Sequence, residues 1–240
     1  MSALQELMND EELATLLSMF LLANAKKNLV LCSFRSFSFS ISKPLYNVDE
    51  LIKQADQLFE KSKDEKDHKK AFHLYSIADS KGSLSAKACL GYCYCLGKGV
   101  TEDKEKGLAL IRVSANAGNA KGQNVMGVCY GKGLGVPQNY KEAVKWFCKS
   151  AEQGNAAAQN NLGVCYAKGQ GVPQSYEEAV KWYRNSAGQG NAVAQCNLGC
   201  CYENSQGVPQ CYDEAIKWYR KSAEQGYRRA KDSLTRLKVE

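Results

Sequence analysis

The sequence predicts an all-α protein: a right-handed α-solenoid of antiparallel helix pairs, closed by a C-terminal capping helix. Three observations predict it. A 36-residue unit recurs in register as 84–119, 120–155, 156–191 and 192–227, and a fixed period of this length is the signature of stacked repeats. Within a unit, apolar residues recur at three- and four-residue steps, as at Ala158, Leu162, Cys165 and Tyr166, which is the spacing of one helix face. Helix stops and caps recur in phase with the unit, as at Gly118-Asn119, Gly154-Asn155 and Gly190-Asn191.

Taken in order, residues 1–46 do not follow the repeat. A helix is expected from near Asp10, carrying the apolar stretch Leu13–Ala23, and Leu29–Ile41 reads as extended or as a loop. Ala23-Asn24-Ala25 would suit a cleavage site. An export signal needs a positive flank, however, and the preceding residues carry Glu6, Asp10, Glu11 and Glu12 instead. Cytoplasmic residence is expected, with export through an atypical signal as the alternative.

The solenoid occupies 47–240. Sliding the register back by one period reveals a first, divergent unit at 48–83, in which Ile52, Ala55 and Leu58 align with Ala88, Gly91 and Tyr94. Asn47-x-x-Glu50 caps it, and a charged linker, Lys61–Lys70, replaces the glycine-rich loop. In the later units Asn155 caps the first helix, and Gly169-Gln170-Gly171 with Val172-Pro173 ends it. Ser175-Tyr176-Glu177-Glu178 and Asn139-x-x-Glu142 have capping-box spacing for the second helix. That helix is expected to bury Ala179, Trp182, Tyr183 and Ala187. Gly91, Gly127, Gly163 and Gly199 fall mid-helix, where glycine costs about 1 kcal/mol relative to alanine. Their recurrence implies a steric need for a hydrogen side chain where paired helices cross. Residues 228–240 supply a lone first helix, with Ala230 and Leu234 on the positions of Ala194 and Leu198, to cover the last open face.

Composition narrows the function classes. The net charge of +7 is spread along the chain, and no Lys/Arg block resembles a nucleic-acid arm. The cysteine count is odd, at 11, which argues against a secreted disulfide scaffold. Cys93, Cys129, Cys165 and Cys201 share one repeat position. Packed helices stand about 8–10 Å apart, whereas a disulfide wants Cα atoms roughly 4.4–6.8 Å apart. These cysteines therefore read as small buried apolar residues in a reducing compartment. No zinc spacing occurs, so no metal is expected. No segment is long and apolar enough to span a membrane. The sequence lacks a phosphate loop, a dinucleotide fingerprint, His-Glu-x-x-His and Gly-x-Ser-x-Gly. Its two histidines, His68 and His73, flank one helix start. No cofactor, no small-molecule substrate and no enzymatic activity are expected.

Leu162-Gly163-x-x-Tyr166, Gly169-x-Gly171-Val172, Ala179-x-x-Trp182-Tyr183 and Ala187-x-x-Gly190 together resemble the Sel-like repeat (SLR) family, a relative of the tetratricopeptide repeats. The resemblance covers Leu84–Leu237 well and Val48–Ser83 loosely. It implies an adaptor that assembles protein complexes. A secreted, cysteine-rich branch of the family carries a disulfide between the end of a second helix and the following first helix, and has been labelled a β-lactamase or penicillin binder. Here those positions hold Ser150 and Ala158, so a hydrolase stays the alternative and that label does not transfer. Ser205 replaces the first loop glycine, Cys211 replaces the cap, and Leu110-Ile111 replaces the aromatic pair.

The expected function is therefore a scaffold that binds a protein or peptide on a concave face formed by the first helices. The face opposite the Leu/Tyr contacts presents Tyr92, Asn124, Val128, Asn160, Val164, Cys196, Cys200 and Arg236. Stacked, solvent-facing Asn124 and Asn160 would hydrogen-bond an extended peptide, with Val and Cys giving apolar contact.

Overall fold

The computed structural model describes residues 47–238 apart from position 63. The expectations for 1–46, a helix near Asp10 and an extended or looped Leu29–Ile41, lie outside the described residues, as does Cys32. Among the described residues eleven helices follow one another: α1 Val48–Lys61, α2 Glu65–Ser80, α3 Leu84–Leu96, α4 Lys104–Asn116, α5 Ala120–Lys132, α6 Tyr140–Glu152, α7 Ala156–Lys168, α8 Tyr176–Gly188, α9 Ala192–Glu203, α10 Tyr212–Glu224 and α11 Arg228–Arg236. Odd-numbered helices are the first helices of their units and even-numbered ones the second. Each second helix packs against its own first helix and against the first helix of the next unit, and α11 closes the series against α10. No strand occurs among the described residues.

Capping chemistry sets the boundaries. Nine helices begin with a side chain that accepts a backbone N–H: Asn47, Asp64, Ser83, Asp103, Asn119, Asn139, Asn155, Ser175 and Asn191. Asp64 starts α2 at Glu65, so most of the expected charged linker Lys61–Lys70 is helix. Its acidic first turn, Glu65 and Asp67, suits the positive end of the helix dipole. The capping boxes close on one side. Asn139 and Ser175 accept from the N–H of Glu142 and Glu178. Their own N–H groups are already given to the carbonyls of Tyr130 and Tyr166, at 2.9 and 3.0 Å. The two glutamates therefore turn outward to Lys145 and Lys181. Cys211 makes no side-chain cap.

The core runs along the stack as linked clusters. One joins Ala143, Val144, Phe147 and Ala151 of α6 to Ala158, Leu162 and Cys165 of α7; the next joins Ala179, Val180, Tyr183 and Ala187 of α8 to Ala194, Leu198 and Cys201 of α9. Trp182 does not join Tyr183 inside. It is half-buried and packs against the cluster of the preceding unit, where its bulk seals the seam between units. The aromatic ring of the second helix sits over the mid-helix glycine of the first. A Cβ on Gly163 would lie 2.6 Å from Tyr183 Cε1 and 3.2 Å from the Ala179 carbonyl oxygen. In the divergent unit Ile111 replaces the ring and Gly107 replaces the alanine, and the backbones close the gap: a Cβ on Gly91 or Gly107 would meet the other's carbonyl oxygen at 2.5 Å.

Polar side chains lock this arrangement at one repeat position after another. Buried Ser114, Ser150, Ser186 and Ser222 donate to the first carbonyls of α3, α5, α7 and α9 at 2.6–2.7 Å. Gln153, Gln189 and Gln225 donate to Gln123, Gln159 and Gln195 at 2.7–2.8 Å. The ten described cysteines are free thiols.

Asn139 occupies the position of Cys211 in its own unit and caps it. Cys211→Asn is therefore expected to stabilise the fold by about 1 kcal/mol, the usual worth of an N-cap, read as a raised midpoint in urea denaturation.

Candidate protein-binding face

The first helices stand side by side, and one contact shows which way the stack bends. Lys121 of α5 pairs with Asp56 of α1 at 2.6 Å, reaching past α3. Neighbouring helices lie about 8–10 Å apart, so in a flat stack two such steps would put this pair out of reach. The first helices therefore line the inside of the curve. Tyr75 donates its hydroxyl to the same Asp56 at 2.7 Å.

The eight residues expected on this face divide into two rows. Asn124, Asn160 and Cys196 point into the seam between adjacent first helices. Asn161 donates to Asn124 Oδ1 and Asn197 to Asn160 Oδ1, each at 3.0 Å. Asn160 is 8% exposed and Cys196 fully buried, packed with Ala215, Tyr219 and Ala230. The expectation that Asn124 and Asn160 both face solvent is thus corrected: Asn124 is half-buried and Asn160 buried. The reason is register. The residue after each asparagine row turns toward the preceding helix, so the asparagines bond to each other across the seam.

The second row lies on the inner surface. Tyr92 is half-buried, packs its ring against Phe59 at 6.0 Å and accepts from Lys132 Nζ at 3.4 Å. Val128 and Val164 are half-buried against the core. Cys200 is half-buried; its sulfur accepts from the Tyr219 hydroxyl at 3.2 Å and from Arg229 at 3.7 Å. A hydrogen bond from Cys196, joined by those from Tyr219 and the charge of Arg229, holds the Cys200 thiol below the usual thiol range. Arg236 is exposed and forks onto Glu203, which Tyr219 also meets, at 2.7 Å. The paired guanidinium holds the Glu203 carboxyl below the usual carboxylate range.

Sequence reasoning missed several inner residues. Asp56 is one period before Tyr92, and Lys121, Ala157, Val193 and Arg229 share a second row at the same interval. Lys132 and Lys168 lie four residues beyond Val128 and Val164, one turn along the same face. Extending the 36-residue alignment by one turn in each direction would have found them. His68 is buried with its ring near Phe59 and, among the described residues, no partner for its Nε2, and His73 is exposed.

Helix pairs of this length, stacked around an inner face, define an α-solenoid repeat protein. The chain belongs to the Sel1 repeat family, whose model matches residues 58–83, 86–119, 120–155, 156–191 and 192–227. A protective antigen of uropathogenic Escherichia coli with an SLR fold is 34% identical, at TM-score 0.56. That similarity covers 75% of this chain and 38% of the antigen, so the chain spans well under half of that relative's length. A Sel1 repeat protein from Oxalobacter formigenes is 30% identical over 77% of this chain and 73% of its own, at TM-score 0.59. An immunity protein from Pseudomonas aeruginosa is 27% identical over 81% of this chain and 74% of its own, at TM-score 0.56. No curated protein matches the chain. Sel1 repeat solenoids typically mediate protein–protein interaction and are generally non-enzymatic scaffolds. No described helix is long and apolar enough to cross a membrane.

The asparagine seam carries its own test. Asn124→Ala with Asn160→Ala is expected to lower stability by about 1–3 kcal/mol, since each loses a hydrogen bond worth roughly 0.5–1.5 kcal/mol. Equilibrium denaturation measures it; an unchanged midpoint would mean that both side chains are free in solution.

Proposed function

We propose that this chain is an adaptor that holds a partner polypeptide along the inner face of its first helices. One observation carries the reading: Tyr92, Val128, Val164 and Cys200 recur one per unit along that face, each held by contacts within the solenoid. Such a surface is formed before a ligand arrives, which reduces the ordering cost of binding. Ala157 and Val193 remain exposed beside this row. The reading assigns no reaction to the chain. It places the protein in the cytoplasm, in keeping with ten free thiols packed through the fold, and makes its partner a protein rather than a nucleic acid or a small molecule.

A photo-crosslinking amino acid placed at Ala157 or Val193 in the full chain, in its native cell, is expected to capture a protein partner. The same group at Val113, exposed on the second helix α4, is expected to capture none. Capture from Val113 with none from the inner positions would move the interface to the outer face.

A further inference from the structure

First and second helices differ in their carboxylates rather than in net charge: α4, α6, α8 and α10 hold eight. Helices α3, α5, α7 and α9 hold between them a single carboxylate, Glu203, against four lysines, Lys87, Lys121, Lys132 and Lys168. Lys87 is paired with Asp79 at 2.8 Å and Lys121 with Asp56 at 2.6 Å, while Glu203 is taken by Arg236. That leaves Lys132 and Lys168 on the inner face with Arg229 from the cap, all exposed and, among the described residues, without a carboxylate partner. The outer helices mix carboxylates with cations, and three of their lysines are paired within the helix while Lys106, Lys149 and Lys221 lie over aromatic rings. Lys145, Lys181 and Lys217 each pair with a glutamate one turn earlier, at 2.6, 2.5 and 3.1 Å.

Lysines in the last turn of a helix are favoured by its dipole, which would account for Lys132 and Lys168 without a ligand. Arg229 is held differently, its guanidinium against the Cys200 sulfur at 3.7 Å. It lies in the first turn of α11, where the dipole opposes a cation and no acidic side chain offsets it. Beside this charge run Val128, Val164 and the exposed Ala157 and Val193. The face thus joins cations that have no carboxylate partner among the described residues to apolar ground, the complement of an acidic segment with apolar side chains.

Spacing sharpens the ligand. Lys132 and Lys168 occupy one repeat position on adjacent first helices, about 8–10 Å apart. An extended chain in the polyproline II conformation advances about 3.1 Å per residue with three residues per turn, so every third side chain points the same way, about 9 Å apart. We infer that the inner face of α5–α11 receives an extended, acidic segment of a partner protein, with carboxylates at every third residue and apolar side chains between them. This rests on the adaptor reading and adds the chemistry of its partner.

The test uses the full chain and three fluorescein-labelled peptides, four repeats each of Glu-Leu-Ser, Gln-Leu-Ser and Lys-Leu-Ser, titrated by fluorescence anisotropy at low salt. The Glu peptide is expected to bind at least about tenfold more tightly than the Gln peptide, and less tightly as salt rises, because exposed charges are screened. The Lys peptide should show the weakest binding. K132Q/K168Q/R229Q should reduce the Glu peptide to the level of the Gln peptide, and K132E/K168E/R229E should reverse the preference toward the Lys peptide. Thermal melts of both variants establish that they fold.

Equal binding of the Glu and Gln peptides, or binding of the Glu peptide unaltered in the variants, overturns the acidic-segment inference and leaves the adaptor reading standing. A single-stranded DNA oligonucleotide of equal charge that binds as tightly and competes also overturns it, in favour of general anion binding. Failure of all three peptides to bind overturns it too. The crosslinking experiment at Ala157 and Val193 then decides the adaptor reading by itself.

Discussion

Each unit is built around the point where its two helices touch most closely. At Gly127, Gly163 and Gly199 the ring of Phe147, Tyr183 or Tyr219 occupies the space where a Cβ would be. The backbone separation set there determines whether Ser150 reaches the Ala120 carbonyl, whether Gln153 reaches Gln123, and how closely successive first helices stand. A shift of a few tenths of an ångström would strain these bonds together, because packed interiors resist compression. The divergent unit shows the constraint from the other side. With Ile111 in place of a ring, a second glycine at position 107 lets the backbones themselves supply the contact.

The same crossing reaches the inner face. Tyr219 lies over Gly199 and carries its hydroxyl through to Cys200 and Glu203, which Arg236 then covers. Tyr75, at the same repeat position in the first unit, reaches Asp56, which Lys121 covers. A phenol joined to a carboxylate and a cation thus marks both ends of the stack. Between them the inner surface turns apolar, with Val128 and Val164, and its cations have no carboxylate partner among the described residues. Like charges gathered on one face repel one another and do not favour the compact stack. Their presence on helices whose one carboxylate, Glu203, is already taken by Arg236 fits a surface shaped by binding.

The helices were legible because their signals are local. Asn155, Gly169, Pro173 and Ser175 act within a turn of where they stand, so caps and stops can be read from neighbouring residues. The steric meaning of Gly163 was legible as well, since recurrence at one position exposed it. Burial across the seam was not. Asn124 and Asn160 look like solvated helix residues because the groups that cover and bond them belong to neighbouring repeats. Their partners, Asn161 and Asn197, lie 37 residues away. The pairing of Asp56 with Lys121, 65 residues apart, depends on curvature, which a repeat period does not encode. The charged stretch after Lys61 read as a linker by composition alone, whereas Asp64 and an acidic first turn make it the start of a helix.

Adding a single methyl group at two glycines of one unit tests the governing constraint most directly. Gly163 faces Tyr183 with no room for a Cβ, while Gly188, at the exposed end of α8, has nothing within 4 Å of where its Cβ would be. Urea denaturation of Gly163→Ala and Gly188→Ala should move in opposite directions. The Gly163 change is predicted to destabilise by about 1–3 kcal/mol through overpacking, and the Gly188 change to stabilise by up to about 1 kcal/mol through helix propensity. Stabilisation by both would show that the helices are not held apart by the ring at Gly163, and would contradict the account.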